Sequence, residues 1–280
     1  MPEGPELARS RDHLRGILCG AELTKFEAYG GRYAKRQPDG LRELRDVMER
    51  NTVVVGDVNV KGKFMWWTLR PDMTCETWYL FCTYGMSGMW TTIPLDKHTT
   101  AIASVRGIFS HATVQFHDPR HFGTLKFVRG KEALDRKLAT LGPDMLNAPP
   151  NEEPFREALL RKGHKTLAEV LMDQSVVSGV GNYVKAEALY LARLSPHRRP
   201  DELITAEISR LRRAIIDVMK ASYESGGATF ATYFQGDGRP GQATSRFVVY
   251  GNRTDPLGNP VVREETKDGR TTHWVPAVQS

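Results

Sequence analysis

The feature that most constrains this chain is a change in hydrophobic period part-way along it. From Ala21 to Val128 the apolar residues come in short β-branched and aromatic runs: AELTKFEAY, TVVVGDVNV, KFMWWTL, TWYLFCTYG, SHATVQFHD and FGTLKFV. Val53 and Val55, then Val58 and Val60, alternate as strands with one buried face do, and Lys61-Gly62-Lys63 reads as a hairpin tip. Beyond LGPDML (Leu141 to Leu146) and NAPPNEEP the period becomes helical, with helices predicted over Phe155 to Arg161, Leu167 to Gln174, Asn182 to Arg193 and Glu202 to Glu224. A further helix opens the chain, because Leu7, Leu14 and Leu18 share one face and Gly20 stops it. Strands and helices are therefore segregated. The expectation is an α+β protein: a helix packed on a β-sandwich, a helical bundle with a helix, turn, helix unit, and a closing hairpin from FVVYG, PVVREE and TTHWVP. The predicted domains are 1–146, 147–224 and 225–280.

Composition excludes several classes. No apolar run approaches the eighteen or so residues of a membrane helix, and the start lacks a signal peptide's pattern, so an intracellular protein with no membrane partner is expected. Cys19, Cys75 and Cys82 form no CxxC pair, which argues against a disulfide framework or a zinc site. No cofactor is expected, and a monomer is the default. Net charge is +6, a thin excess favouring an acidic partner. The basic groups cluster in GRYAKR, KGK, DPRHFG and HRR, each on an element end; taken singly, each is a solvated charged face.

Two motifs bear on chemistry. The chain begins MPEGPE, and a proline after the initiator methionine is expected to become the terminal residue, a secondary amine beside the Glu3 carboxylate. An α-amino group titrates near pH 7.7 to 8.0 against about 10.4 for lysine, so much of it is neutral and nucleophilic at working pH. Gly179-Val180-Gly181-Asn182 opens a helix, but its third glycine would fall at Val184 and no strand precedes it, so it is not a dinucleotide fingerprint. It suits a phosphate at a helix start, or is simply an interhelical turn.

MPEGPE, KGK before a strand, YGMSG, DPRHFG and QSVVSGVGNYVKAEALYLARLSPHR occur in an order that closely resembles the formamidopyrimidine-DNA glycosylase and endonuclease VIII family, over nearly all 280 residues. The resemblance implies a β-sandwich and a helix-two-turn-helix domain flanking a DNA-binding cleft, then a hairpin finger. It implies a bifunctional DNA glycosylase and abasic-site lyase of base excision repair. Pro2 would attack the sugar C1′ and form an iminium that drives β,δ-elimination, Glu3 would serve as acid and base, and Lys63 would contact phosphate and assist proton transfer, with Lys61 the weaker candidate. Met86, Arg120 and Phe122 would fill the gap left by the extruded nucleotide, and Asn182 and Arg270 would hold phosphates. The partner implied is damaged double-stranded DNA, with single-stranded or bubble DNA as further candidates. His121 stands where relatives often carry arginine. Many relatives close with four cysteines around zinc, whereas no cysteine follows Cys82 here, which resembles the zincless finger of Nei-like members such as those of giant viruses.

Two substrate signals conflict. PEGPE resembles the endonuclease VIII side and favours oxidised pyrimidines and hydantoins. Residues Gly226 to Gly241 resemble the loop that closes over oxidised purines. Two other classes stay open: a non-catalytic damage-binding protein, which would not need Pro2, Glu3 and Lys63 together, and a tautomerase-like enzyme, which would leave Lys63, Met86, Arg120 and Asn182 unexplained.

Overall fold

A computed structural model describes residues 2–73, 76–95, 97–108, 110–228, 238–239 and 241–280. The chain forms two compact units: one comprises Pro2, Glu6–Ala139 and the described part of Gly226–Gly241; the other Glu3–Pro5, Thr140–Ser225 and Gln242–Ser280.

The first unit holds most of helix α1 (Gly4–Leu18), strand β1 (Glu22–Ala28), helix α2 (Leu41–Met48), strands β2 (Val53–Lys61), β3 (Phe64–Pro71), β4 (Trp78–Thr83), β5 (Met89–Thr91), β6 (Thr99–Arg106), β7 (His111–His117) and β8 (Thr124–Arg129), and helix α3 (Lys131–Ala139). The expected sandwich is built from one hydrogen-bonded sheet of order β5-β7-β6-β1-β2-β3-β4-β8. Its corner lies where β1 and β2 share one registered pair, Glu22 with Val54. From there β1 runs on along β6 and β2 along β3. The two halves then face each other. Trp67 of β3 meets Trp90 of β5 at 4.7 Å between ring centroids, and Phe26 of β1 meets Phe127 of β8 edge to face at 4.8 Å. All four rings are buried, and each contributes about 1.5 to 3 kcal/mol of burial. The Lys61-Gly62-Lys63 tip is as expected: β2 and β3 pair up to Lys61 and Phe64, and Gly62 takes a positive φ of 58° in the turn. Helices α2 and α3 were not apparent from hydrophobic period; α2 buries only Leu41 and Leu44, and α3 only Leu134.

The second unit holds α4 (Glu152–Leu160), α5 (Leu167–Met172), α6 (Asn182–Ala192), α7 (Thr205–Glu224), and the hairpin β9 (Val262–Thr266) and β10 (Arg270–Trp274). The helix predicted over Glu202 to Glu224 is shorter at its start, where a 3-10 turn (Pro200–Glu202) precedes α7. Thr166 and Glu169 form a reciprocal capping box that starts α5. Only β9 and β10 form the closing hairpin. FVVYG is not a strand, because the Glu187 carboxylate of α6 accepts the N–H groups of Val248, Val249 and Tyr250 at 2.8, 2.9 and 2.7 Å. A buried side chain thus replaces a strand partner. Val249 packs with Ala186 and Val275 in the core beneath.

Candidate active site and nucleic-acid interface

In the first unit Pro2 is buried at the head of α1. The helix is fixed to the sheet by Arg15, which donates to Asp57 Oδ1 at 2.9 Å and to the Val58 carbonyl at 2.7 Å, and by a short hydrogen bond between the Ser10 and Tyr84 hydroxyls. Burial pushes the Tyr84 phenol far above its ordinary range, so it stays protonated in that contact. Lys61 donates to the Leu138 carbonyl at 3.1 Å. Its ammonium thus serves the packing of the α3 region, and Lys63, half-buried in the turn, remains the functional candidate of the pair.

Met86, Arg120 and Phe122 lie on two loops that one carboxylate joins. Asp118, almost fully buried, accepts from Ser87 Oγ at 2.8 Å and from the Gly123 N–H at 2.7 Å. Ser87 Oγ in turn accepts the Arg120 N–H at 3.1 Å. Gly85 is required here: its φ is +58°, and a Cβ would stand 2.6 Å from the Phe122 carbonyl carbon. The loops therefore present their tips together. Phe122 is 51% exposed, Arg120 is exposed and Met86 half-buried, and the Arg120 guanidinium lies 5.4 Å from the Phe122 ring centroid. An apolar wedge and a cation on a rigid base suit insertion into a stack.

The histidine that departs from the family pattern, His121, also has a left-handed φ of 57°. Its ring stands 6.3 Å from that of His98, which is 5.9 Å from His117. Burial, then the neighbouring His98, holds His117 below its ordinary pKa.

In the second unit Glu3 is 2% exposed. Its Oε1 accepts the Tyr183 N–H at 3.0 Å and its Oε2 the Val184 N–H at 3.3 Å. Both N–H groups belong to the first turn of α6, where no carbonyl of the helix itself accepts them and the helix dipole favours an anion. The glycine-rich turn is thus explained by its own chain rather than by a bound phosphate. A Cβ on Gly181 would stand 2.1 Å from Glu3 Cδ, so only glycine admits the carboxylate. Gly4 N–H donates to the Gly179 carbonyl at 2.9 Å, and Gln174 clamps the turn by donating to the Val180 carbonyl and accepting from the Gly179 N–H.

Asn182 donates from Nδ2 to the Thr271 carbonyl of β10 at 2.9 Å. One of its two amide hydrogens therefore holds the hairpin. Arg270 is exposed at the start of β10, beside the turn that joins it to β9. The predicted site residues so fall into two groups: Pro2, Lys63, Met86, Arg120 and Phe122 on one unit, and Glu3, Asn182 and Arg270 on the other, with the Pro2–Glu3 peptide bond linking them.

Comparison with known proteins gives the family. Family models described as the formamidopyrimidine-DNA glycosylase N-terminal domain, H2TH domain and C-terminal domain match residues 1–125, 141–233 and 239–280. A formamidopyrimidine-DNA glycosylase of Thermus thermophilus is 34% identical over all of this chain and 98% of its own. The chain belongs to the formamidopyrimidine-DNA glycosylase family. Another such glycosylase, from Heliobacterium modesticaldum, is 30% identical over the full length of both. The crystal structure of the Thermus protein, termed MutM or Fpg, superposes with a TM-score of 0.80 at 32% identity, covering 99% of this chain and 98% of that one. A Lactococcus lactis Fpg in complex with abasic-site DNA gives 0.80 at 25% identity and covers 99% of each chain. These relatives carry the formamidopyrimidine name rather than that of the endonuclease VIII side.

As a formamidopyrimidine-DNA glycosylase family member, the chain is an enzyme of base excision repair, a DNA glycosylase with abasic-site lyase activity acting on damaged DNA. Its finger does not fit a zinc ion. No cysteine follows Cys82, and Cys82 itself is buried in β4 with its thiol pushed far up by burial. The hairpin turn is closed by other means: Thr266 and Thr272 hydroxyls meet at 2.6 Å, Thr266 donates to Asp268, and Asp268 pairs with Lys185. Sequence reasoning missed Ser87, Asp118, Lys185, Glu187 and Asp268. Ser87 and Asp118 stood inside quoted motifs, and their polarity beside glycines in YGMSG and DPRHFG was the available signal. The Lys185–Asp268 and Glu187 contacts join residues 61 to 83 positions apart and had no local signal.

Proposed function

We propose that Pro2, once the initiator methionine is removed, is the nucleophile of this glycosylase, and that oxidised purines are its principal lesions. The secondary amine attacks C1′ of the extruded nucleotide and the bond to the base breaks; the amine then gives up its proton, and opening of the C1′–O4′ bond, its oxygen taking a proton, leaves the nitrogen as a cationic iminium. That cation acidifies the adjacent sugar hydrogens, and elimination of the flanking phosphates follows. Glu3 exchanges protons with the sugar ring oxygen and the departing groups. Lys63 neutralises phosphate charge beside the lesion. Met86, Arg120 and Phe122 occupy the vacated stack, while Asn182 and Arg270 hold the backbone.

The observation that carries this reading is the Glu3 carboxylate, buried and fixed by the Tyr183 and Val184 N–H groups while peptide-bonded to Pro2. A buried carboxylate oriented by backbone donors is preorganised for proton transfer. The lesion preference is supported by relatives whose names specify formamidopyrimidine, an opened purine, and by the purine-loop resemblance of Gly226 to Gly241, of which 229–237 and 240 lie outside the described residues. Oxidised pyrimidines and hydantoins are the second reading, favoured by PEGPE at the start.

Borohydride trapping tests both points. Duplexes carrying 8-oxoguanine, formamidopyrimidine, thymine glycol, a hydantoin or an abasic site are reduced with the enzyme, and the adduct is mapped by mass. An adduct on Pro2, formed fastest with the two purine lesions, is expected. Fastest trapping by thymine glycol or hydantoin would reverse the ranking, and an adduct on a lysine would remove Pro2 from its role.

A further inference from the structure

Lys185 is the third residue after Asn182 on α6, and its side chain is 0% exposed. A buried ammonium is among the most costly groups a core can hold, so its neighbours show what it serves. Its Nζ donates to Asp268 Oδ2 at 2.6 Å, and the Asp268 side chain is itself only 4% exposed. Asp268 lies in the turn between β9 and β10, two residues before Arg270, and its other oxygen accepts from Thr266. Asn182 and Lys185, one helical turn apart, therefore grip the finger at two points, the Thr271 carbonyl and the Asp268 carboxylate.

The charged groups acting on Lys185 include Asp268 and Glu3, which favour its charged form, and Arg270, which opposes it, while burial is the largest influence and lowers its pKa. His273 of β10 also feels its charge.

We propose that Lys185 is a positioning residue that does for this finger what a metal does elsewhere: paired with Asp268, and one helical turn from Asn182, it sets the turn bearing Arg270. This rests on the reading of Arg270 given above. A merely structural pair would be replaceable by apolar side chains without affecting DNA contacts.

The test uses the full chain as Lys185→Arg, as the paired Lys185→Met with Asp268→Leu, and as Asp268→Asn. Melting curves establish folding, and affinity for duplex containing tetrahydrofuran is followed against salt, beside Arg270→Ala. The paired variant replaces both members of the ion pair by apolar side chains and is expected to fold. Its salt slope should fall by about 0.9, the value of one phosphate contact, as in Arg270→Ala, and adding Arg270→Ala to it should lower the slope no further. Lys185→Arg should keep the wild-type slope, and Asp268→Asn should lower it. A folded paired variant with the wild-type slope overturns the proposal. Should the paired variant fail to fold, a wild-type slope in Asp268→Asn overturns it. A wild-type slope in Arg270→Ala refutes the reading of Arg270 itself, whatever Lys185 does.

Discussion

Asp118→Ala should disable the wedge loops without touching DNA directly. The carboxylate accepts two hydrogen bonds, from Ser87 Oγ at 2.8 Å and the Gly123 N–H at 2.7 Å, and Ser87 passes the connection on to the Arg120 N–H. Bonds to a charged group contribute about 1.5 to 3 kcal/mol each, which would sum to about 3 to 6 kcal/mol. Removing the carboxylate also relieves the cost of burying it, so the lower end applies, and the expected loss is about 3 kcal/mol. Urea unfolding followed by tryptophan fluorescence reports it, since Trp67 and Trp90 lie in the same sandwich. Single-turnover excision should fall at least tenfold, because Met86, Arg120 and Phe122 lose their shared base. Excision from a duplex already opened by a mismatch at the lesion should fall less, since extrusion is then easier. Asp118→Asn keeps one acceptor and should fall between the two. A loss below 1 kcal/mol with unchanged excision would refute the view that this carboxylate organises the loops.

Three further outcomes are expected. Gly181→Ala should fold yet lose excision by at least tenfold, since its Cβ would displace Glu3; full activity would show that Glu3 can act from elsewhere. His117 has a folded pKa below 6.5 because of burial and His98, so the unfolded chain binds more protons between the two values and stability falls as pH drops through that window. His117→Gln should flatten that slope in urea titrations from pH 7 to 5, and an equally steep slope would assign it to other groups. Chelators should leave excision unchanged; inhibition reversed by zinc would contradict the metal-independent finger.

How much could be read in advance depended on whether a residue's partner was near it in the chain. Helices α1, α6 and α7 and the Lys61–Lys63 turn announce themselves by period and glycine, because their hydrogen bonds are local. Met86, Arg120 and Phe122 were legible as motif members, but the carboxylate that joins their loops, Asp118, was not. FVVYG has a strand's composition and no strand, because its donors are satisfied by Glu187, 61 to 63 residues earlier. Pattern alone cannot see such a bond. Lys185 looked like an ordinary polar position on a helix, and only the fold shows that it is enclosed. Helices α2 and α3 escaped for a different reason: with one or two buried leucines each, they carry too little periodic signal to register.

The bond from Glu3 to the start of α6 bears on how the enzyme comes into being. Its two ends are 180 and 181 residues apart, so the carboxylate lacks its seat until two-thirds of the polypeptide has been synthesised. A nascent or truncated chain ending before Asn182 would carry Pro2 with no seat for the carboxylate beside it. On the chemistry proposed above, such a chain would lack its oriented acid–base group until those two-thirds have been made.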